Sequence, residues 1–277
     1  MNYSDARKLF FSATVVMLIA SCKNDNNANV VPTPTIVKEW TLTLSAKYEN
    51  PVPASRTETG TATIQIYSDN SLKYTINIVG LTSGDALTAA HLHVGDAITS
   101  GGVILGFDPI FSGSTATGTI TNVRTSLIDS LKVSTNEIYF NVHSTQVPSG
   151  LVRGQVNTNI ELAAVVDLSG ANEVPPVTTT ATGKATIRLT SEKNMYVKLT
   201  VSNLESGDAL TAAHIHKAAA GANAGVLVGF YGNAADFGTT KIVTVDDATF
   251  ASLKADNIYV NAHSTSHPAG IIRAQIR

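Results

Sequence analysis

The stretch SGDALTAAHLH occupies residues 83–93, and SGDALTAAHIH occupies residues 206–216, with Leu92 replaced by Ile215 as the one difference. A second pair follows in the same order, IYFNVHSTQVPSGLVRGQV at 138–156 and IYVNAHSTSHPAGIIRAQI at 258–276. Similarity between segments this far apart is the signature of a duplicated domain rather than of a short solenoid repeat. The sequence therefore predicts two tandem domains, domain 1 at 39–157 and domain 2 at 160–277.

The local pattern within each copy is that of short strands. Runs rich in β-branched residues, such as TATIQIY (61–67) and LKYTINIV (72–79), are separated by Gly, Pro, Ser, Asn and Asp. We expect an all-β fold with two tandem antiparallel domains, each a sandwich or a barrel-like sheet. Residues 123–133 and 245–255 have apolar side chains at helical spacing, so each domain is predicted to contain one short helix.

Composition limits the classes of function. Hydrophobic residues make up 43% of the 277 residues and charged residues 14%, which suits packed cores. The formal net charge of −2 provides no basic field for a nucleic-acid partner. A single cysteine excludes an intrachain disulfide. Since there is no Gly-rich phosphate loop, C-x-x-C motif or carboxylate pair, we predict no enzyme activity, and metal-dependent redox chemistry is the one enzymatic alternative left open.

Residues 1–21 resemble a bacterial lipoprotein signal peptide. Arg7 and Lys8 precede a short apolar run, and the sequence IASC ends at Cys22. On this interpretation Cys22 is acylated and holds the protein to a membrane, and the Asn- and Pro-rich residues 22–38 form a flexible tether. Lys23 after the cysteine resembles lipoproteins of the outer membrane, so we expect that location, facing the periplasm or exposed at the cell surface. The alternative is an ordinary secretory signal whose cysteine has no role.

Strand alternation separates polar from apolar side chains in the repeated blocks. In AAHLHV, Ala90, Leu92 and Val94 share one side and the histidines share the other. The same alternation in the later blocks gives each domain a set of side chains directed away from its core, here called the polar face. The polar faces consist of His91, His93, Tyr139, Asn141, His143, Arg153 and Gln155 in domain 1, and of His214, His216, Tyr259, Asn261, His263, Arg273 and Gln275 in domain 2. We expect each set to line one surface.

These blocks carry a family resemblance. AAHLH, YFNVHS and PSGLVRGQ, with their copies AAHIH, YVNAHS and PAGIIRAQ, resemble the CHRD domain, the module named from chordin. Ala274 departs from the family glycine that domain 1 keeps at Gly154. The EVPP segment at Glu173–Pro176, echoed at Asn50–Ala54, also resembles the family, although an edge-strand break accounts for it as well. The resemblance implies a non-enzymatic binding or structural module in the cell envelope, with an unidentified protein or glycan partner.

Three roles for the polar faces stay open. In the first, H-x-H on a strand and a third histidine bind Zn or Cu, whereas no cofactor is needed in the other two. The candidate ligands are His91, His93 and His143 in domain 1, and His214, His216 and His263 in domain 2. In the second role, the polar residues brace one another and nearby loop carbonyls. In the third, the face binds a ligand or a partner. Ring nitrogens that converge on one point favour metal, whereas nitrogens directed at carbonyls or at Asn141 favour bracing.

Overall fold

The computed structural model of the protein describes residues 32–277, and the predicted signal peptide and Cys22 lie outside this range. Each domain is built on one eight-stranded antiparallel sheet. Domain 1 contains β1 (Ile36–Ser45), β2 (Thr59–Tyr67), β3 (Leu72–Val79), β4 (Leu87–Val94), β5 (Val103–Gly106), β6 (Thr115–Ile120), α1 (Thr125–Lys132), β7 (Ile138–Ser144) and β8 (Val152–Gln155). Domain 2 contains β9 (Ile160–Ser169), β10 (Thr182–Thr190), β11 (Asn194–Ser202), β12 (Leu210–His216), β13 (Val226–Tyr231), β14 (Lys241–Thr244), α2 (Asp247–Ala255), β15 (Tyr259–Ser264) and β16 (Ile272–Gln275).

The two sheets have the same strand order. It is β5-β4-β7-β8-β1-β2-β3-β6 in domain 1 and β13-β12-β15-β16-β9-β10-β11-β14 in domain 2. The prediction of two tandem all-β domains is confirmed, and so is that of one short helix in each. Helix α1 buries Leu127, Ile128 and Leu131. Helix α2 buries Leu253, and the side chain of its N-cap, Asp246, accepts a hydrogen bond from the Thr249 amide at 2.8 Å.

Each domain has its own apolar core, built from one side of the alternating strands. Ala90 and Leu92 of β4 lie in the core beside Phe140 and Val142 of the neighbouring strand β7. Val94, which alternation assigned to the same side, is 54% exposed, because β4 ends at this residue. The opposite side of β4, β7 and β8 therefore carries the polar face.

The two domains belong to one compact unit, residues 34–277. Tyr196 on β11 donates a hydrogen bond to Glu137 of domain 1 at 2.7 Å and packs against Ala97 and Ile98. Arg188 on β10 is fully buried and donates to the backbone oxygen of Glu49 at 3.2 Å. Domain 2 thus contacts domain 1 at Glu49 and at the β4–β5 loop (95–102).

Strand β1 begins at Ile36, so residues 36–38 of the predicted tether are part of the domain 1 sheet. Neither helix within residues 32–277 is long and apolar enough to cross a membrane.

Candidate functional site

Cross-strand pairing brings the polar face of domain 1 together. His91 lies opposite Asn141 and His93 opposite Tyr139 in the β4–β7 pair, while Asn141 and Tyr139 lie opposite Arg153 and Gln155 in the β7–β8 pair. Domain 2 repeats these pairs with His214, His216, Tyr259, Asn261, Arg273 and Gln275. Residues directly opposite on one side of an antiparallel pair are in contact range, so these six side chains of each set are neighbours. The seventh, His143 or His263, contacts the asparagine of its own strand.

Each polar face lines one surface of its sheet, and loops cover most of that surface. Arg153 is 1% exposed, and Asn141, Tyr139 and Gln155 are also buried, whereas His91 and His143 are half-buried. Side chains of the polar face hold the covering loop by hydrogen bonds. Gln155 donates to the Gly95 carbonyl at 3.1 Å, and Arg153 donates to the Asp96 carbonyl. In domain 2, Arg273 and Gln275 donate to Ala222 and Ala218 in the β12–β13 loop (217–225) at 2.8 and 3.0 Å. These bonds pair loop carbonyls with side chains of the polar face.

The three histidines of domain 1 meet at one point. His91 Nδ1 lies 3.0 Å from His143 Nε2, and the ligand atoms of all three rings lie within 4.8 Å of one another. Asn141 joins them, with its Oδ1 at 3.1 Å from His93 Nε2 and 3.0 Å from His143 Nε2. Because His91 and His143 are half-buried, this cluster has a side that faces solvent.

The outer ring nitrogens fix the protons of two of these histidines. His93 Nδ1 lies 3.0 Å from the Gly101 carbonyl, and His143 Nδ1 lies 2.9 Å from the Pro148 carbonyl. A carbonyl oxygen can only accept, so Nδ1 carries the proton in each neutral ring and Nε2 carries the lone pair. The lone pairs of His93 and His143 and the oxygen of Asn141 therefore face one another. His91 can satisfy the lone pair of His143 Nε2 by donating a hydrogen bond to it. The contact between His93 Nε2 and Asn141 Oδ1 still brings two acceptors together.

Domain 2 reproduces this arrangement closely. His214 Nδ1 lies 3.0 Å from His263 Nε2, and Asn261 Oδ1 lies 3.0 and 3.1 Å from Nε2 of His216 and His263. The outer nitrogens again face carbonyls, since His216 Nδ1 is 2.9 Å from Ala224 O and His263 Nδ1 is 3.0 Å from Pro268 O. This second trio also lies within 4.8 Å.

Burial and crowding favour the neutral form of four of these rings, His91, His143, His214 and His263. Burial, and then the neighbouring His263 and His216, lowers the pKa of His214 to about 4. Burial likewise lowers the pKa of His91, His143 and His263. Taking an imidazolium out of water next to other imidazoles is unfavourable, and the neutral ring is the form that binds metal ions.

Comparison with known proteins places both domains in one family. A family model of the CHRD domain matches residues 40–156 and 164–276, which together contain both polar faces. The chain belongs to the CHRD domain family. It is similar to chordin of Danio rerio, with 25% identity over 235 residues, and this match covers 78% of the chain but 24% of chordin. The chain thus spans about a quarter of that relative. No solved structure matches it. Membership of this family indicates a binding module.

A stack of three side chains supports one histidine in each CHRD domain. The His93 ring is parallel to the Tyr139 ring with centroids 4.7 Å apart, and the Arg153 guanidinium lies 3.5 Å from the Tyr139 centroid. His216, Tyr259 and Arg273 form the same stack, with 4.7 and 3.3 Å between successive groups. The residues of each polar face thus form two groups. The three histidines and the asparagine make the cluster, whereas the tyrosine, arginine and glutamine support one histidine ring and hold the covering loop.

Sequence reasoning missed two buried carboxylates, Glu49 and Glu173. Each follows a short 3-10 turn and lies beside the cluster asparagine, and burial raises the pKa of each to about 7. The available signal was the EVPP segment, which begins with Glu173. The edge-strand explanation for it was wrong, because the segment lies in the loop between β9 and β10, which are both interior strands. Its counterpart in domain 1 begins at Glu49, one residue before the echo at Asn50–Ala54.

Proposed function

We propose that the two CHRD domains are non-enzymatic metal-binding modules, each of which binds one Zn²⁺ or Cu²⁺ ion at its histidine trio. The proposal rests on the different contacts that the two nitrogens of one histidine ring make. In His93 and His143 the outer nitrogen donates to a backbone carbonyl, and the inner nitrogen directs its lone pair at the cluster. Metal-ligating histidines have this arrangement, because the outer hydrogen bond fixes the tautomer and orients the ring.

One pair of ring nitrogens in each trio already has the spacing that an ion requires. A metal about 2.0–2.1 Å from each imidazole nitrogen needs nitrogens about 3–4 Å apart. His91 Nδ1 and His143 Nε2 are 3.0 Å apart, as are the equivalent atoms of His214 and His263. Asn141 Oδ1 or water completes the coordination, with access from the half-buried side. Neutral imidazoles favour Zn²⁺ and Cu²⁺ over the hard cations Ca²⁺ and Mg²⁺.

A metal ion also accounts for the contacts that bracing leaves unexplained. Bracing explains the outer nitrogens and the stacked Arg and Tyr side chains. It does not explain why His93 Nε2 and Asn141 Oδ1, two acceptors, meet at 3.1 Å. A bound cation removes the acceptor–acceptor conflict without protonating a ring.

The decisive experiment is a metal titration of protein purified without chelators and then stripped. We expect two ions per chain, one for each trio, by calorimetry with Zn²⁺ and Cu²⁺ and by elemental analysis. His91→Gln and His214→Gln should each leave one ion, and the double variant none. His91 suits this test because its polar contact among the described residues is with His143 alone. His267→Gln is the matched control, since His267 is the one histidine outside both trios. A wild-type chain that binds neither ion at micromolar concentration contradicts the proposal.

The proposal includes an envelope location. The lipoprotein-like residues 1–21 and Cys22 support attachment to the outer membrane through lipid, with the two CHRD domains held outside the cytoplasm. Cys22→Ala should move the protein from the membrane fraction to the soluble envelope fraction. Continued membrane association of this variant would show that lipid on Cys22 is not the anchor.

A further inference from the structure

Each CHRD domain buries one glutamate beside the asparagine of its histidine cluster. Glu49 is 4% exposed and Glu173 is 6% exposed. Oε1 of each is buried without a hydrogen-bond partner among the described residues. Burying a carboxylate costs stability, and the same burial recurs at the equivalent place in both domains.

A glycine brings each carboxylate to the cluster asparagine. A Cβ at Gly150 would lie 2.6 Å from Glu49 Oε1 and 3.0 Å from Asn141 Nδ2, so both atoms border the space that the missing side chain leaves. At Gly270 the same distances are 2.5 Å to Glu173 Oε1 and 2.9 Å to Asn261 Nδ2. The amide contact favours the ionised form of each carboxylate, as does the nearby Arg153 or Arg273.

The chemistry of the pair sets the direction of the amide. In its ionised form Glu49 only accepts hydrogen bonds and an amide nitrogen only donates them, so ionised Glu49 holds the NH₂ group of Asn141 toward itself. Its oxygen is then left facing Nε2 of His93 and His143, at 3.1 and 3.0 Å. If the amide were turned over, its NH₂ group would donate to those two nitrogens instead and would satisfy both lone pairs. The cluster would then be a closed hydrogen-bond network with no demand for a cation.

We infer that Glu49 and Glu173 are positioning residues that turn a bracing network into a metal site, by holding the oxygen of Asn141 or Asn261 toward the histidines. This inference rests on the proposed function, and it goes further by assigning the choice between the two uses of the cluster to a residue that binds no metal itself. Glutamine at this position can accept or donate, so it allows either direction of the asparagine amide at almost unchanged volume.

The test is Glu49→Gln in a His214→Gln background, where the domain 1 trio (site 1) is the one proposed metal site left; the domain 2 trio is site 2. Glu39→Gln is the control, because Glu39 is an exposed glutamate on β1. Glu173→Gln in a His91→Gln background repeats the test on site 2. We expect calorimetry with Zn²⁺ and Cu²⁺ to give about 10–100-fold weaker binding in the Gln variants, as for other outer residues of metal sites. Thermal unfolding of the metal-free variants should stay at or above the midpoint of the parent. Weaker binding with an equal loss of metal-free stability would mean that the glutamates are structural, and unchanged affinity would overturn the inference.

A measurement on the metal-free protein separates this inference from the proposed function. Couplings between ¹⁵N nuclei across N–H···N hydrogen bonds report whether Asn141 Nδ2 donates to His93. We expect no such coupling in the parent and a coupling in Glu49→Gln. A parent that already shows it would overturn the inference whatever the titrations give. A parent that binds no metal but shows the expected change contradicts the metal proposal and leaves the positioning role of Glu49 standing.

Discussion

Gly150→Ala tests how closely the Glu49 carboxylate approaches Gly150. Gly150 has φ +130°, a conformation in which a side chain costs about 1–3 kcal/mol. The new Cβ would also lie 2.6 Å from Glu49 Oε1, and displacing packed, buried groups costs about 1–3 kcal/mol more. The expected loss of unfolding free energy is therefore about 2–6 kcal/mol. A domain pair of this size loses about 2–4 °C in Tm for each kcal/mol.

Gly80→Ala is the matched control for this substitution. Gly80 also has positive φ, at +77°, but nothing lies within 4 Å of the position of its Cβ, so its cost is the backbone term alone, about 1–2 kcal/mol. Thermal and denaturant unfolding of the metal-free variants measures the difference. Gly150→Ala should also weaken Zn²⁺ and Cu²⁺ binding at site 1, whereas Gly80→Ala should leave it unchanged. Equal destabilisation by the two substitutions would refute the close approach of Glu49 Oε1 to Gly150.

Three further outcomes follow from the same geometry. Zn²⁺ or Cu²⁺ at 100 times the dissociation constant should stabilise the protein by about 2.7 kcal/mol per site, as a chelator-reversible rise in Tm that is lost in the His91→Gln, His214→Gln double variant. Burial alone would raise the pKa of Asp85, but hydrogen bonds from Ser144, Gln146, Thr145 and Arg56 hold this pKa well below its usual range. Its stabilising effect should therefore be present above about pH 4 and lost in more acidic solution. Asp85→Asn should make stability depend less on pH in acid unfolding followed by circular dichroism, and an unchanged pH dependence would contradict this. Removal of metal by a chelator, followed by stopped-flow absorbance, should be biphasic, with the slow phase missing in His91→Gln and the fast phase missing in His214→Gln; a single phase in the parent would count against unequal sites.

The sequence predicted the fold and the membership of the site from two regularities, duplication and strand alternation. Alternation was enough to separate His91 and His93 from Ala90 and Leu92, since that separation depends on neighbouring residues in one strand. It could not predict that the polar face is buried. The loops that cover it are ordered by contacts between distant segments, such as the bond from Arg153 to the Asp96 carbonyl. Glu49 was missed for the same reason, because its approach to Asn141 depends on how β1, β7 and the Gly150 turn meet in space.

Alternation also could not distinguish bracing from metal binding, because a ring has two nitrogens and a sequence pattern places only the ring. In His143 one nitrogen faces the Pro148 carbonyl and the other faces His91 and Asn141. The two roles are therefore compatible, since the bond that braces the loop also selects the tautomer that directs a lone pair at the ion. Duplication of the domain preserved the same ring contacts in His216 and His263.

The two proposed sites have the same side chains but different surroundings, and this difference is the physical basis for predicting unequal release of metal. Domain 2 packs on the segments that cover site 1, through Arg188 on the Glu49 carbonyl and Tyr196 on Ala97 and Ile98. The corresponding β12–β13 loop over site 2 is held by Arg273 and Gln275 from within its own domain. Opening site 1 requires its loop to move against the other domain, whereas opening site 2 breaks contacts inside one domain. Local opening is rarer where more packed contacts must be lost, so site 1 should release its ion more slowly.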